Sequence, residues 1–293
     1  MMHILVIKMS YFKMKDLEEK GYCVIEDILS EEELQTARSY FYDWLDSDPQ
    51  IKAKHNKISP HGIFKHLEAG HQRHAWYIRT RPKVFETFKQ IWKTDELVVS
   101  FDGCCWISKD VKKRDSIWTH TDQAPNQKGL KCYQAFVSLT DNVERSLVVY
   151  EGSHELHEEY CAQKSLTHNT NWQLIDEDYL QCIQDRKRVL PVKAGSLVIW
   201  DSRTFHQNQY GTLPEERIVQ YVSYLPKEGR NEKMEEKRIN YFLDRRTTSH
   251  WAYPVKVNGL QPQHYGNKEL LIDYKKLTVP YLDDMLDDII ELI

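Results

Sequence analysis

The sequence predicts an α+β protein that is mainly β, with helices flanking an antiparallel core that is either a barrel or a double-sheet jelly roll. Between residues 96 and 225, short apolar or alternating runs are separated by turn residues, as is typical of short strands. Helices do not alternate with these runs, so a parallel α/β sheet is disfavoured. Helical patterns occur instead before residue 95, in one insertion and near the last residues.

The first 95 residues are expected to be mostly helical support for this core. A helix is predicted over Asp16–Lys20, followed by a strand over Tyr22–Ile25. Ser30 and Glu33 have the spacing of a capping box, in which each side chain accepts a hydrogen bond from a free backbone N–H at a helix start. A later helix is predicted over Pro82–Lys93, because proline is favoured at the first helical positions and apolar residues recur on one side.

Residues 48–80 are polar and carry five histidines without a clear period. They are predicted to form a loop, with the histidines at the surface or in a lid over a pocket rather than at a metal. A polar and mobile segment of this kind would suit such a lid.

The predicted core spans residues 96–225 and is interrupted by a helical insertion at residues 154–185. Seven runs are predicted as strands: Leu97–Phe101, Cys104–Ser108, Tyr133–Leu139, Leu147–Tyr150, Val189–Val192, Ser196–Trp200 and Ile218–Leu225. Residues 226–293 form a C-terminal extension that ends in an amphipathic helix near Tyr281–Ile293. We expect one domain over residues 1–293, since 41% of the residues are hydrophobic and a single core of this size is feasible.

Charge and cysteine content exclude several classes of protein. The formal net charge is −4 and the basic residues are scattered, which disfavours a nucleic-acid-binding protein. The apolar stretch Ile4–Ile7 ends at Lys8, too short for a signal core or a membrane span, so no membrane association is expected. Six cysteines show no zinc or redox spacing, which indicates free thiols in a reducing compartment and predicts a cytoplasmic protein.

Two residues of a candidate metal site follow a strand-like stretch, Ser116–Trp118. His120 and Asp122 are two positions apart, so in an extended chain their side chains point to the same side. His206, after the strand that ends at Trp200, is the candidate third ligand. Two neutral imidazoles and one carboxylate form a facial set that suits Fe(II) and leaves three positions open.

Arg217 lies on the strand after His206 and strengthens this interpretation. A planar guanidinium binds a carboxylate through two parallel hydrogen bonds, which is what the distal carboxylate of 2-oxoglutarate requires. The ligands and the anchor therefore form one ordered series in the sequence.

The sequence resembles the phytanoyl-CoA dioxygenase family over nearly its whole length. The resemblance rests on several motifs in the same order: Gly21–Glu26 with Leu29–Ser30 and Glu32–Leu34, Trp118–Gln123, Ser146–His154, Gly195–Trp200, His206 and Arg217.

This resemblance implies a double-stranded β-helix, which is a jelly-roll or cupin-like core, and an oxidoreductase with one Fe(II). It implies that 2-oxoglutarate is bound with its C5 carboxylate on Arg217, and that O2 oxidises a small organic substrate, with hydroxylation as the expected outcome and succinate and CO2 as co-products. The family has a small hydroxyl residue two positions after the distal histidine; Asn208 stands there and can still donate a hydrogen bond. Gln123 and Gln134 are candidate polar residues of the substrate wall.

Aromatic residues are further candidates for substrate contact. Trp106 and Trp118 could line the pocket or belong to the core, and the sequence leaves both possibilities open. The polar and aromatic run Thr247–Trp251 could also contribute, although a buried and hydrogen-bonded His250 is the expected outcome.

Two alternatives remain at this level. One is a catalytically silent homologue that keeps the pocket for binding or regulation, which the intact set of His120, Asp122, His206 and Arg217 disfavours. The other is a nucleic-acid demethylase of the same superfamily, in which a second arginine is expected where Ser223 stands. The sequence leaves the substrate and the oligomeric state open.

Overall fold

Two antiparallel sheets form the centre of the chain in the computed structural model, which describes residues 13–228 and 231–293. The stretch Ile4–Ile7 lies outside the described residues. The α+β class with antiparallel sheets is confirmed.

Nine helices are present among the described residues. In chain order, α1 to α9 are 13–20, Glu31–Ser47, Pro49–Ile58, Arg73–Arg79, Pro82–Trp92, His157–Gln163, Glu177–Cys182, Glu232–Leu243 and Leu286–Leu292. The predicted capping box is present at the start of α2, where Ser30 accepts from the Glu33 N–H and Glu33 accepts from the Ser30 N–H.

Thirteen strands are present in the same part of the chain. In order, β1 to β13 are Tyr22–Ile25, Ile63–Phe64, Leu97–Val99, Cys104–Ile107, His120–Thr121, Tyr133–Ser138, Leu147–Tyr150, Gln173–Leu174, Lys187–Val189, Leu197–Asp201, His206–Asn208, Arg217–Val222 and Tyr224–Pro226. A six-stranded sheet has the order β1-β10-β6-β12-β4-β2, and a five-stranded sheet has the order β8-β5-β11-β7-β9. Strands β13 and β3 form a separate pair.

The six-stranded sheet is the middle layer, because its residues alternate between two cores. On β10, Leu197 and Ile199 pack with the helices, whereas Val198 and Trp200 pack toward the five-stranded sheet. On β6, Phe136 faces the same inner core as Val198, its register partner. This period of two therefore orients every other side chain of the sheet toward the space between the sheets.

The prediction of a loop over residues 48–80 is wrong, because helices α3 and α4 lie in it. Asp48 caps α3 by accepting from the Gln50 N–H, and Pro49 occupies its first position. His55, His71 and His74 are buried rather than exposed. His55 stacks on Phe64 with 3.7 Å between ring centroids. The apolar period of these helices was not recognised in the sequence, because histidines occupy some of their buried positions.

Several predicted element boundaries also differ. The insertion at residues 154–185 is not only helical, since β8 lies between α6 and α7 and joins the five-stranded sheet. The stretch Ser116–Trp118 is not a strand; β5 begins at His120. Helix α8 was not predicted, and the last helix starts at Leu286.

All six cysteines are free thiols, and only Cys182 is exposed. In the described part of the chain, no helix combines the length and the apolar character that a membrane crossing requires.

Candidate metal centre

The register of the five-stranded sheet brings the three predicted metal ligands together. His120 on β5 pairs directly with His206 on β11, so the two imidazoles leave the same face of the sheet. Asp122 follows β5, and its N–H donates to Ser202 O at 3.0 Å. Asp122 Oδ2 lies 3.5 Å from His120 Nε2 and 3.4 Å from His206 Nε2. The three candidate ligand atoms are within 4.8 Å of one another.

Each imidazole is oriented by a backbone carbonyl. His120 Nδ1 lies 3.1 Å from Trp118 O, and His206 Nδ1 lies 2.9 Å from Thr204 O. A hydrogen atom on Nδ1 satisfies both contacts and leaves each Nε2 as a lone-pair donor toward the centre. Gln134 Nε2 donates to Asp122 Oδ2 at 3.1 Å, which fixes the carboxylate.

The electrostatics of the centre favour the ligand forms of these groups. Burial opposes ionisation of Asp122, but the imidazoles of His120 and His206 outweigh it and hold the pKa of the carboxyl well below its usual value. Burial lowers the pKa of His206, with a further lowering from His120. An ionised Asp122 and a neutral His206 are the states in which both can bind a cation.

Aromatic rings surround the centre. Trp118 and Trp172 stack against His120, with ring centroids 4.9 Å and 5.7 Å away. Trp200 lies 5.3 Å from His206. His61 stacks on Trp118 at 3.8 Å. His120 and His206 are buried among these rings.

Arg217 begins β12 on the opposite sheet, and it is fully buried. Its guanidinium lies 5.2 Å from the centre of the Phe136 ring, and electrostatic interactions link it to Cys105 and Tyr221. Within the described residues, neither terminal nitrogen has a hydrogen-bond partner. Its interactions with Tyr221 and Cys105 leave both terminal nitrogens without a well-formed hydrogen bond in this part of the chain, and a buried cation in that state favours the binding of an anion.

A cavity of about 350 Å³ lies between the two sheets and contains the centre. Of the residues predicted to contact ligands, Gln134, Trp118 and Asn208 line it. Arg217 does not line it, but Tyr221, with which Arg217 interacts, does. Trp106 does not line it, because alternation on β4 turns it toward the helices, where its indole N–H donates to Glu216. Gln123 does not line it either. Its Nε2 donates to Gly129 O at 2.7 Å, and its Oε1 accepts from Ser202 Oγ at 2.9 Å.

Two groups of cavity residues were not predicted from the sequence. Tyr221 lines the cavity and accepts a hydrogen bond from Asn208 Nδ2 at 3.3 Å. Its signal in the sequence is its place four residues after Arg217, on the same face of one strand. Trp172 and Asn171 come from the loop before β8, and no local pattern relates them to the centre.

The C-terminal extension also reaches the cavity. Thr248, Ser249 and His250 line it, as does Lys256. His250 is half-buried, and burial lowers the pKa of its imidazole to about 4, so it is neutral near pH 7. Its Nε2 is buried without a hydrogen-bond partner among the described residues, so the expected hydrogen bond is not formed there.

Comparisons with known proteins agree with this geometry. The family model "Phytanoyl-CoA dioxygenase (PhyH)" matches residues 17–209. The "Ava biosynthesis cluster protein O" of Aspergillus versicolor is 27% identical, and the alignment covers 74% of this chain and 78% of that protein.

Solved structures with a similar fold include the following three proteins. The non-haem α-ketoglutarate-dependent carbocyclase SnoK from nogalamycin biosynthesis has a TM-score of 0.51 and 19% identity, over 73% of this chain and 83% of its own. EctD from S. alaskensis, solved with 2-oxoglutarate and 5-hydroxyectoine, has a TM-score of 0.52 and 17% identity, over 75% of this chain and 77% of its own. HygX from Streptomyces hygroscopicus, solved with nickel and 2-oxoglutarate, has a TM-score of 0.52 and 13% identity, over 74% of this chain and 87% of its own.

The family match covers well over half of the chain and includes His120, Asp122 and His206 in the order that the sequence indicated. The chain belongs to the phytanoyl-CoA dioxygenase family.

Proposed function

We propose that this chain is an Fe(II)- and 2-oxoglutarate-dependent oxygenase that oxidises a small organic molecule. The observation that carries the proposal is a three-ligand centre beside a cavity that Tyr221 and Asn208 also line, together with a buried Arg217 that interacts with Tyr221 and whose terminal nitrogens have no well-formed hydrogen bond among the described residues. As part of the proposal, the two sheets are the halves of a double-stranded β-helix, and residues 1–293 form one domain.

The donor set of His120, Asp122 and His206 fits Fe(II). Ligand atoms about 2.1 Å from one ion and at right angles to each other are about 3 Å apart. The separations of 3.4 Å and 3.5 Å between Asp122 Oδ2 and the two Nε2 atoms are close to that value. Two imidazoles and one carboxylate also leave three positions of an octahedral ion open.

Arg217, Tyr221 and Asn208 fit the distal carboxylate of 2-oxoglutarate. The two terminal nitrogens of Arg217 would form parallel hydrogen bonds with its oxygens, and this pairing would satisfy the buried charge. Because Asn208 donates to the Tyr221 oxygen, the phenol keeps its own hydrogen free to donate to the carboxylate. In this proposal Asn208 acts by positioning Tyr221.

When bound, the iron and 2-oxoglutarate supply the oxidation of the substrate by O2, with succinate and CO2 as co-products. The chain supplies orientation and shelter. Trp118 O and Thr204 O keep the imidazoles in their ligand tautomers, and Gln134 holds the carboxylate of Asp122. The tryptophans around the centre exclude bulk water from the reacting groups.

A small organic substrate is supported by the cavity of about 350 Å³, which is within the usual range for such ligands. A relative named for a biosynthesis cluster and a fold neighbour described as a carbocyclase support a role in making a small molecule. Hydroxylation is our proposal for the outcome, and the free cysteines support a reducing, cytoplasmic location.

The test is succinate formation from 2-oxoglutarate by the purified chain with Fe(II) and O2, measured with and without a panel of small organic molecules. We expect slow turnover without substrate and stimulation by a suitable substrate. His206→Ala should abolish it, whereas His264→Ala, a histidine outside the cavity, should not. If the unaltered chain neither binds iron nor consumes 2-oxoglutarate, the proposed function is contradicted and the silent-homologue alternative is favoured.

A further inference from the structure

The C-terminal extension builds one wall of the cavity, although it lies beyond the residues that match the family model. Thr248 anchors it, with its N–H donating to Phe101 O at 2.9 Å and its hydroxyl accepting from the Phe101 N–H at 3.0 Å. Ser249 N donates to Lys256 O at 2.9 Å, and Asn258 N donates to Thr247 O at 2.9 Å, which closes a hairpin-like segment over residues 247–258. The segment is therefore a fixed part of the wall.

Two lysines line the cavity at exposed positions. Lys256 belongs to the 247–258 segment, and Lys65 follows β2. The two regions are tied together by the hydrogen bond between His66 Nδ1 and Gly259 O at 2.9 Å. Among the described residues, no carboxylate forms an ion pair with either lysine, whereas Lys164 and Lys193 do have such partners.

The carboxylates that line the cavity are already engaged. Asp122 lies between the two histidine ligands, and Asp102 accepts from Ser100 at 2.6 Å and faces Arg79 at 3.6 Å. No other acidic residue is found among the described residues that line the cavity. Lys65 and Lys256 mark the exposed part of the cavity, which we call the entrance. In a chain with a formal charge of −4, the entrance therefore carries local positive charge that the protein does not neutralise.

The rest of the wall is suited to a flat apolar body. Trp118, Trp172, Trp200 and Trp251 all line the cavity, and they come from the segment before β5, the loop before β8, strand β10 and the C-terminal segment. Aromatic walls with a few polar groups at defined places are typical of sites for small ligands.

We infer that the substrate is an organic anion with an apolar, planar body, whose acidic group binds Lys65 and Lys256 at the entrance while its body packs against the tryptophans. This inference rests on the proposed function and specifies its substrate class. Carboxylates and phosphates share the required chemistry, and the entrance would select either of them against neutral and cationic molecules.

The inference is tested by equilibrium dialysis of matched probes against the full chain with Fe(II) and saturating 2-oxoglutarate, without O2. The probes are hydrocinnamate, its primary amide, the corresponding amine and phenethyl phosphate. Two partly exposed ion pairs favour the anions over the amide by about five- to tenfold, and about 0.5 M salt reduces this preference. Which of hydrocinnamate and phenethyl phosphate binds with the higher affinity distinguishes a carboxylate substrate from a phosphate substrate.

The Lys65→Gln/Lys256→Gln variant should lose the preference and keep its affinity for the amide. Lys57→Gln/Lys233→Gln removes the same charge from exposed lysines outside the cavity and should keep the preference. The inference is overturned if the amide or amine binds as well as the anions, if no anion binds at millimolar concentration, or if the double variant keeps the preference. Binding is measured without turnover, so failure of 2-oxoglutarate oxidation would contradict the proposed function alone.

Discussion

The guanidinium of Arg217 is buried without a hydrogen-bond partner for its terminal nitrogens in the described part of the chain, which makes it the most informative side chain outside the metal centre. A charge in this state lowers the stability of the protein until an anion binds it. Two opposite effects of removing the charge follow, one on stability and one on ligand affinity.

Arg217→Met should raise the free energy of unfolding of the ligand-free protein and weaken 2-oxoglutarate binding. Loss of one partner of a buried charge pair costs about 2–5 kcal/mol, so the dissociation constant should rise by about 30-fold or more. Calorimetry of 2-oxoglutarate binding to the Fe(II) protein without O2 measures this change. Pyruvate lacks the distal carboxylate and serves as the control ligand, and an equal loss of affinity for both acids would contradict the assignment.

Tyr221 is expected to donate to the same carboxylate, with Asn208 holding its phenol oxygen. A hydrogen bond to a charged group contributes about 1.5–3 kcal/mol, so Tyr221→Phe should weaken 2-oxoglutarate binding by about tenfold to a hundredfold. Asn208→Ala should have a smaller effect, because it leaves the phenol in place. A larger effect for Asn208→Ala, measured by the same calorimetry, would show that Asn208 contacts the carboxylate itself.

At the scale of elements, helices α3 and α4 use histidines as core residues. His74 on α4 lies 5.1 Å from Phe41 and 5.3 Å from Trp44, measured between ring centroids. Burial lowers the pKa of His74 to about 3, so the ring is neutral in the folded protein. In the unfolded chain it titrates near its ordinary value of about 6.5.

This lowered pKa predicts that the folded protein loses stability in acid. Between pH 6.5 and 4 the unfolded state binds a proton at His74 that the folded state does not, so stability is full above pH 6.5 and falls as the pH is lowered. The slope from this residue is about 1.4 kcal/mol per pH unit. His74→Leu should remove that slope from denaturant unfolding measured across the range.

Phe88→Leu, a substitution of a buried residue that does not titrate, provides the control for this prediction. It should lower stability at every pH and leave the slope as it is in the unaltered chain. An unchanged slope in His74→Leu would mean that His74 is not a source of the acid sensitivity.

Elements of different lengths were predictable from the sequence to different degrees. Strands β6, β10 and β12 were recognised because they contain five or six residues with apolar runs or alternation. Strands β5 and β8 have two residues each, and their hydrogen bonds come from neighbours in the sheet rather than from local preference. Helix α8 was missed because Arg238 is its one buried residue, which leaves no apolar period.

At the scale of the whole molecule, the candidate site is assembled from three parts of the chain. The five-stranded sheet provides His120 and His206, the six-stranded sheet provides Arg217, and the C-terminal extension provides the wall with Lys256. In the proposed function, the five-stranded sheet holds the metal and the six-stranded sheet holds the distal carboxylate of the co-substrate.

The sequence predicted the ligand set because two ligands are neighbours in one motif and the third follows a recognisable strand. Arg217 was predicted from the same order. The contribution of Trp172 was not predictable, since long connections determine where its segment returns, whereas the run Thr247–Trp251 was a candidate and does reach the cavity. The orientation of Trp106 could have been foreseen from alternation along β4, had the register with β12 been known.

The central claim is that His120, Asp122 and His206 hold one iron ion next to the binding site of 2-oxoglutarate. It is tested most directly by anaerobic titration of the metal-free chain with Fe(II), followed by 2-oxoglutarate, while bound iron and visible absorption are measured. We predict one iron per chain, a new absorption band when 2-oxoglutarate is added, and the loss of both in Asp122→Ala. Stoichiometric iron binding that is unchanged in Asp122→Ala, or no spectral response to 2-oxoglutarate in the unaltered chain, would contradict the account.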